Sequence, residues 1–307
     1  MSEEETDAAD TSLSCCCASC GIAEIDDIKL VPCDGCDLVK YCSDECRVQH
    51  KSEHNEDCKS RAAELRDELL FKQPEGTHLG DCPICSLPLP LDPKKSTMYE
   101  CCSKVICNGC RYADQIREHQ LRLRSTCPFC REPMPRTDEE YDKLMMKRAE
   151  ANDRVAMCQK AVEEREQGHH SSAIEYWTKA AGLGNADAHY NLSVMYDLGE
   201  GVEKDEEKYI HHLEEAAIGG HPKARYNFGC IECSYGSIER AVKNWIISAT
   251  QGHDLAIKKL MEVFKKGFMA KEDLTAALRA HKAAVDATKS PKREEAEEYY
   301  RILREES

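Results

Sequence analysis

The stretch YCSDECRVQHKSEHNEDC, residues 41–58, holds three cysteines and two histidines, and apart from the cysteines only Tyr41 and Val48 are apolar. A segment this polar has no stripe on which to build a hydrophobic core. It does have a metal-ligand pattern. Cys42 and Cys46 are one helical turn apart, as are His54 and Cys58, so on a helix each pair points one way. Upstream lie two CxxC pairs, Cys17/Cys20 and Cys33/Cys36. Zinc takes four short thiolate or imidazole bonds, and a CxxC turn offers two of them, so each pair requires a second from elsewhere in the chain. The eight side chains make two tetrahedral sites. Cys15, Cys16 and His50 are surplus, and His50 reads as a surface residue.

The rest of the chain divides around these cysteines. Of 20 cysteines, 17 precede residue 131; Cys158, Cys230 and Cys233 fall in a region of different character. With 307 residues, 41% apolar and 32% charged, the chain is long enough for two or three folded units. The start, MSEEETDAAD, is acidic, unlike a secretory signal, and no apolar run approaches the roughly 18 to 20 residues of a membrane span. These features predict a cytoplasmic or nuclear protein with no membrane partner, where thiols are better read as metal ligands than as disulfides. A net charge of -15 argues against nucleic acid as a partner. The basic stretch RYADQIREHQLRLR, 111–124, reads as a solvated helix face.

The first cluster resembles the MYND zinc finger over about 42 residues, including the YCSxxC phrase and the eight-residue step from Cys46 to His54. The resemblance implies interleaved sites: Cys17, Cys20, Cys42 and Cys46 on one ion, and Cys33, Cys36, His54 and Cys58 on the other. Lys51 stands where the family usually carries tryptophan in its groove for proline-rich peptides. Apparent zinc affinity on the order of 10 kcal/mol per structural site would supply most of this unit's stability.

A second set of eight cysteines begins with CPICSLPLPLDPKKSTMYECCSKVICNGC at residue 82 and closes with CPFCRE at 127–132. Its order resembles the RING finger. That resemblance implies Cys82, Cys85, Cys107 and Cys110 on one zinc and Cys101, Cys102, Cys127 and Cys130 on the other. Lys104 occupies the place of the family's usual histidine, and an ammonium cannot ligate zinc. Cys101 is the economical replacement and His119 the alternative. Adjacent side chains on an extended strand point apart, so Cys101 and Cys102 predict a local turn at Ser103. Closed four-ligand sites leave no position for substrate, which excludes zinc hydrolase chemistry. RING fingers instead act by docking a ubiquitin-conjugating enzyme, and Ile84, Pro128 and Arg131 stand at the family's docking places. Ile116 either completes that groove or faces the finger's own core.

After Thr137, which opens a capping box with Glu140, the chain turns helical and repeats every 32 to 36 residues. Alignment on glycine gives GNADAHYNLSVMY from Gly184, GHPKARYNFGCIE from Gly220 and GHDLAIKKLMEVF from Gly252. Ala188/Leu192/Met195, Ala224/Phe228/Ile231 and Ala256/Leu260/Val263 form one helical stripe per repeat, with Trp177, Leu213 and Trp245 on the partner helices. The loop LGEGVEKDEEK, 198–208, resembles that of Sel-one-like repeats, relatives of the tetratricopeptide solenoid, which expose a curved protein-binding face. Cys230/Cys233 is a lone CxxC inside a helix, and His169/His170 and His211/His212 read as solvated.

The predicted fold class is therefore multidomain: two small zinc-stabilised cross-brace fingers followed by an all-α helical-repeat solenoid. The predicted domains are a disordered acidic N-terminus (1–14), a MYND-type finger (15–58), a helical linker (59–79), a RING-like finger (80–134), Sel-one-like repeats (135–285) and a C-terminal capping helix (286–307). Four structural zinc ions are expected, two per finger. The leading functional reading is a RING-type ubiquitin ligase that works by positioning a conjugating enzyme and its ubiquitin, with targets held by the repeats and the MYND finger. The alternative is a non-catalytic scaffold whose partners are proteins or peptides.

Overall fold

The computed structural model describes residues 16–25 and 27–305; the acidic segment 1–14 and Cys15 lie outside them. The chain forms two compact units, Met1–Lys72 and Gln73–Ser307.

In the first unit a short hairpin pairs β1 (Val31–Pro32) with β2 (Lys40–Tyr41), in the register Val31 to Tyr41. Ser43 then caps helix α1 (Asp44–Phe71), its side chain accepting the Cys46 amide. The core is small: Cys17, Leu30 and Tyr41 are its buried members. Helix α1 runs unbroken through residue 58, where the sequence reading divides finger from linker. Among its described side chains it buries only His54 and Leu70. Its outer face is laced by charge pairs, Arg61 reaching Asp37, Glu64 and Glu68. Such exposed pairs contribute little individually.

In the second unit, β3 (Ser96–Tyr99) pairs antiparallel with β4 (Lys104–Cys107), and α2 (Asn108–Gln120) follows directly. Among the described residues nine helices then stack: α3 (Asp138–Glu150), α4 (Arg154–Glu166), α5 (His170–Gly182), α6 (Ala186–Leu198), α7 (Glu206–Ile218), α8 (Pro222–Ser234), α9 (Ile238–Thr250), α10 (Asp254–Lys265) and α11 (Lys271–Ala287). The stripes read from the sequence point inward, with Trp177, Leu213, Trp245, Met195 and Leu260 fully buried and Ile231 half-buried. Gly184, Gly220 and Gly252 all have positive φ, which is why glycine marks the repeat register. The most extensive packing joins α4 to α5, α6 to α7 and α8 to α9.

Two segments depart from the expected plan. Residues 73–80 are not helical; they form a strap fastened along the turns of the repeats. The side-chain amide of Gln73 donates to Thr250 Oγ1 (2.7 Å), that of Gln251 donates to the Gly76 carbonyl (3.0 Å), and the His78 amide donates to the Gly220 carbonyl (3.3 Å). The last helix, α12 (Pro291–Glu305), does not cap the stack. It lies along α2, with Tyr299 against Tyr112 at 4.8 Å between ring centroids and Tyr300 donating to Gln115 at 2.8 Å. The stack ends on α11, which packs against α9 and α10.

Candidate metal centres

Three of the CxxC segments fold into the same knuckle. The first cysteine's amide donates to a carbonyl five residues on: Cys17 to Ile22 (2.7 Å), Cys82 to Leu87 (2.9 Å), Cys127 to Glu132 (2.8 Å). The residue after the second cysteine has a left-handed backbone and donates back to the first: Gly21 (φ 76°), Ser86 (φ 54°) and Arg131 (φ 62°). This closed loop aims both sulfurs to one side. Arg131, an exposed residue, therefore has a backbone role in its knuckle.

Each knuckle meets its partner ligands from distant sequence. In the first unit Cys20 Sγ lies 3.5 Å from Cys42 Sγ, and Cys42 lies 3.6 Å from Cys46 at the start of α1. Further along α1, Cys58 Sγ is 3.7 Å from Cys33 and His54 Nε2 is 3.1 Å from Cys36 Sγ. His50 is not a free surface residue. Its Nδ1 lies 3.1 Å from the Tyr41 hydroxyl and its ring stacks on His54 at 5.7 Å, which steadies the neighbouring imidazole.

In the second unit Cys85 Sγ lies 3.7 Å from Cys107, Cys102 lies 3.6 Å from Cys127, and Cys101 lies 3.2 Å from Cys130. The adjacent pair works because it does not sit on a strand. Residues 100–103 form a tight turn between β3 and β4, in which the Ser103 amide donates to the Tyr99 carbonyl (2.7 Å) and Ser103 takes a φ of 54°. Lys104 is exposed on β4, and His119 is exposed on α2 outside every ligand group. Glu118, buried on the same helix, accepts the Thr126 amide at 3.0 Å and so ties α2 to the last knuckle.

In all four groups the ligand atoms fall within 4.8 Å of one another. A tetrahedron of Zn–S bonds of about 2.3 Å has sulfur separations of about 3.8 Å, close to those above and far from the roughly 2.05 Å of a disulfide. The donor chemistry agrees. Neighbouring Cys20 pushes the Cys42 thiol up to about 12, and burial followed by Cys33 pushes Cys58 up to about 11; a divalent cation offsets that mutual repulsion. The MYND finger and the all-cysteine groups fit zinc binding.

A fifth cluster unites His78 of the strap with Asp187 and His221 of the repeats. His78 Nε2 lies 2.9 Å and His221 Nε2 3.4 Å from Asp187 Oδ1, and the His221 ring is sandwiched at 4.4 Å between His78 and Tyr190. Burial opposes ionisation of Asp187, but the hydrogen bonds from His221 and His78 prevail and hold it below the usual carboxylate range. This is a hydrogen-bonded latch. His221 Nδ1 accepts the Ala224 amide at the start of α8 (3.1 Å), so the proton of its neutral ring is on Nε2, the atom that faces Asp187. Sequence reasoning missed it, although GHP and GHD at consecutive repeat glycines placed His221 and His253 at matching turns. His211/His212 are also not both solvated: His212 is half-buried, with Nδ1 3.1 Å from that of His189 and its ring stacked on Tyr196 at 5.7 Å.

The expected docking residues of the second finger are exposed: Ile84 by 47%, Ile116 by 39%, with Pro128 and Arg131 also open to solvent. Among the described residues, no helix is long and apolar enough to cross a membrane.

The chain is thus a cysteine-rich zinc-binding region followed by a helical-repeat solenoid. Its named parts are a MYND finger, matched over residues 17–58, and Sel1 repeats, matched over 170–185 and 186–221. A RING-type match does not accompany the second cysteine-rich module. No curated protein matches the chain. Among solved structures it is similar to a Sel1 repeat protein from Oxalobacter formigenes, at 25% identity and a TM-score of 0.44 over 50% of this chain and 66% of that one. It is also similar to c5321, a protective antigen of uropathogenic Escherichia coli strains with an SLR fold, at 22% identity and 0.38 over 56% and 37%. The chain thus spans under two thirds of either structure's length.

Proposed function

We propose that the protein is a zinc-dependent interaction scaffold. Its sixteen ligands would be Cys17, Cys20, Cys42 and Cys46; Cys33, Cys36, His54 and Cys58; Cys82, Cys85, Cys107 and Cys110; and Cys101, Cys102, Cys127 and Cys130. The observation that carries the reading is the pairing, in one chain, of a matched MYND finger with matched Sel1 repeats, both protein-interaction modules. Four closed ligand sets support it, since each uses all its positions on protein side chains and serves shape rather than bond-making. The partners are proteins or peptides.

A second reading, ubiquitin ligation through the second finger, draws on the exposure of Ile84, Ile116 and Pro128. One experiment separates the two. The full-length protein is selected against a displayed peptide library before and after zinc chelation, and the same preparation is incubated with ubiquitin-activating enzyme, a panel of conjugating enzymes and ubiquitin. The scaffold reading predicts sequence-specific, zinc-dependent peptide binding and no ubiquitin chains. Chains that form with the native protein and vanish in Ile84→Ala or Arg131→Ala would replace it with the ligase reading.

A further inference from the structure

The C-terminal helix buries a charge against the second finger. Arg293 is only 6% exposed, and among the described residues no carboxylate forms an ion pair with it. Its guanidinium reaches the Cys82–Leu87 knuckle, while its backbone and Cγ pack on α2 at Gly109. Nη1 donates to the carbonyls of Pro88 and Thr288, each at 2.7 Å. Nη2 donates to the Leu87 carbonyl at 3.2 Å and lies 3.5 Å from Cys85 Sγ. The approach is close by construction: a Cβ on Gly109 would come within 2.9 Å of Arg293 N and Cγ.

A buried guanidinium with no counter-charge is strongly destabilising, because its hydration is lost without compensation. Carbonyl oxygens satisfy donors but do not neutralise charge. Among the described residues, the anionic group that the geometry provides is the thiolate set of Cys82, Cys85, Cys107 and Cys110. Four thiolates around one divalent ion carry a net charge of about -2, which is itself unfavourable in a buried site. Each charge solves the other's difficulty. We propose that Arg293 is the counter-cation of this metal centre, so that α12, whose Arg293 lies 208 residues downstream of Cys85, is a working part of it and sets how tightly the ion is held. Arg293 is a positioning and charge-balancing residue, outside the ligand set. Its N–H group also fixes the direction of the Cys85 sulfur, the role that outer hydrogen-bond partners play around metal ligands.

The inference rests on the ligand reading of the four cysteines, and the test separates the two. Full-length protein is loaded with zinc, and ion release to a chromogenic chelator is followed in the native chain, Arg293→Gln and Gly109→Ala; cobalt-loaded samples report thiolate coordination by absorption. In Arg293→Gln one equivalent of four is expected to be lost roughly 10- to 100-fold more readily, the scale for removing an outer-sphere partner, with the other three unchanged. Gly109→Ala keeps the arginine but displaces α12, and is expected to loosen the same equivalent. Four equivalents released as in the native protein from a folded Arg293→Gln chain would overturn the proposal while leaving the ligands intact. Fewer than four in the native protein would instead overturn the ligand reading. Should Arg293→Gln fail to fold, Gly109→Ala decides, since Arg293→Lys keeps the cation, and unchanged release from a folded Gly109→Ala chain is the overturning result.

Discussion

Replacing Cys101 with serine tests the least conventional part of the second finger. Cys101 Sγ lies 3.2 Å from Cys130 and its neighbour Cys102 lies 3.6 Å from Cys127, so the turn at 100–103 delivers both thiolates to the last knuckle. A structural zinc contributes about 10–16 kcal/mol of apparent binding energy. One thiolate of four is about a quarter of that, ~3 kcal/mol, or roughly a hundredfold in affinity at about 1.4 kcal/mol per decade. The native residue type matters because a serine hydroxyl remains protonated and ligates weakly. Cobalt substitution makes the change visible: the absorption of one site should move from an all-sulfur to a sulfur–oxygen pattern, and chelator competition should show one ion of four weakened. Adding Lys104→His should not rescue the loss, because Lys104 points to solvent from β4 opposite Tyr99. Retention of four ions with unaltered affinity and an unaltered all-sulfur spectrum would refute the reasoning and show that another side chain completes the site.

Three further outcomes follow from the second unit. A methyl group at Gly229 would sit 2.7 Å from Trp245 Nε1 and 3.1 Å from the Ala241 carbonyl; Gly229→Ala should cost about 1–3 kcal/mol by overpacking, read as a lower urea midpoint in tryptophan fluorescence, and an unchanged midpoint would contradict it. Asp187→Ala leaves two largely buried imidazoles without their acceptor, a cost of about 1–3 kcal/mol, so the strap at 73–80 should show amide exchange and proteolysis at least tenfold faster with zinc content unchanged; native-like protection would show that the latch does not hold the strap. Burial, then His189 and His211, lowers the His212 pKa from 6.5 to about 4, and burial, then Lys223, does the same for His253. The unfolded chain therefore binds more protons in that window, so stability should fall as pH drops from about 6.5 towards about 4. The two tryptophans, Trp177 and Trp245, both report on the repeats, and a flat profile across the window would exclude the effect.

What was legible in the sequence and what was not divide along a physical line. Ligand spacing is local: CxxC and the helical i, i+4 pairs encode their geometry within a few residues, so the cysteine sets and the core stripes of Ala188/Leu192/Met195 could be read directly. The turn at Ser103 was also foreseeable, because two thiolates on adjacent residues require one. The strap and the final helix were not legible, because their partners are fixed by long-range packing. The dense charge of residues 291–305 looks the same whether a helix caps a stack or lies on a finger. The deciding residue is Arg293, which reads as one surface charge among many until α2 presents Gly109 to it and Cys85 accepts it. Likewise His78 sits in a stretch of linker composition, and only Asp187 and His221 at successive repeat turns give its ring a place to bind. Both attachments join the second finger to the repeats within one unit. A partner that displaced α12 would therefore act on the cysteine set through the contact of Arg293 with Cys85, at a place remote from the helical core in which Trp177 and Trp245 are wholly enclosed.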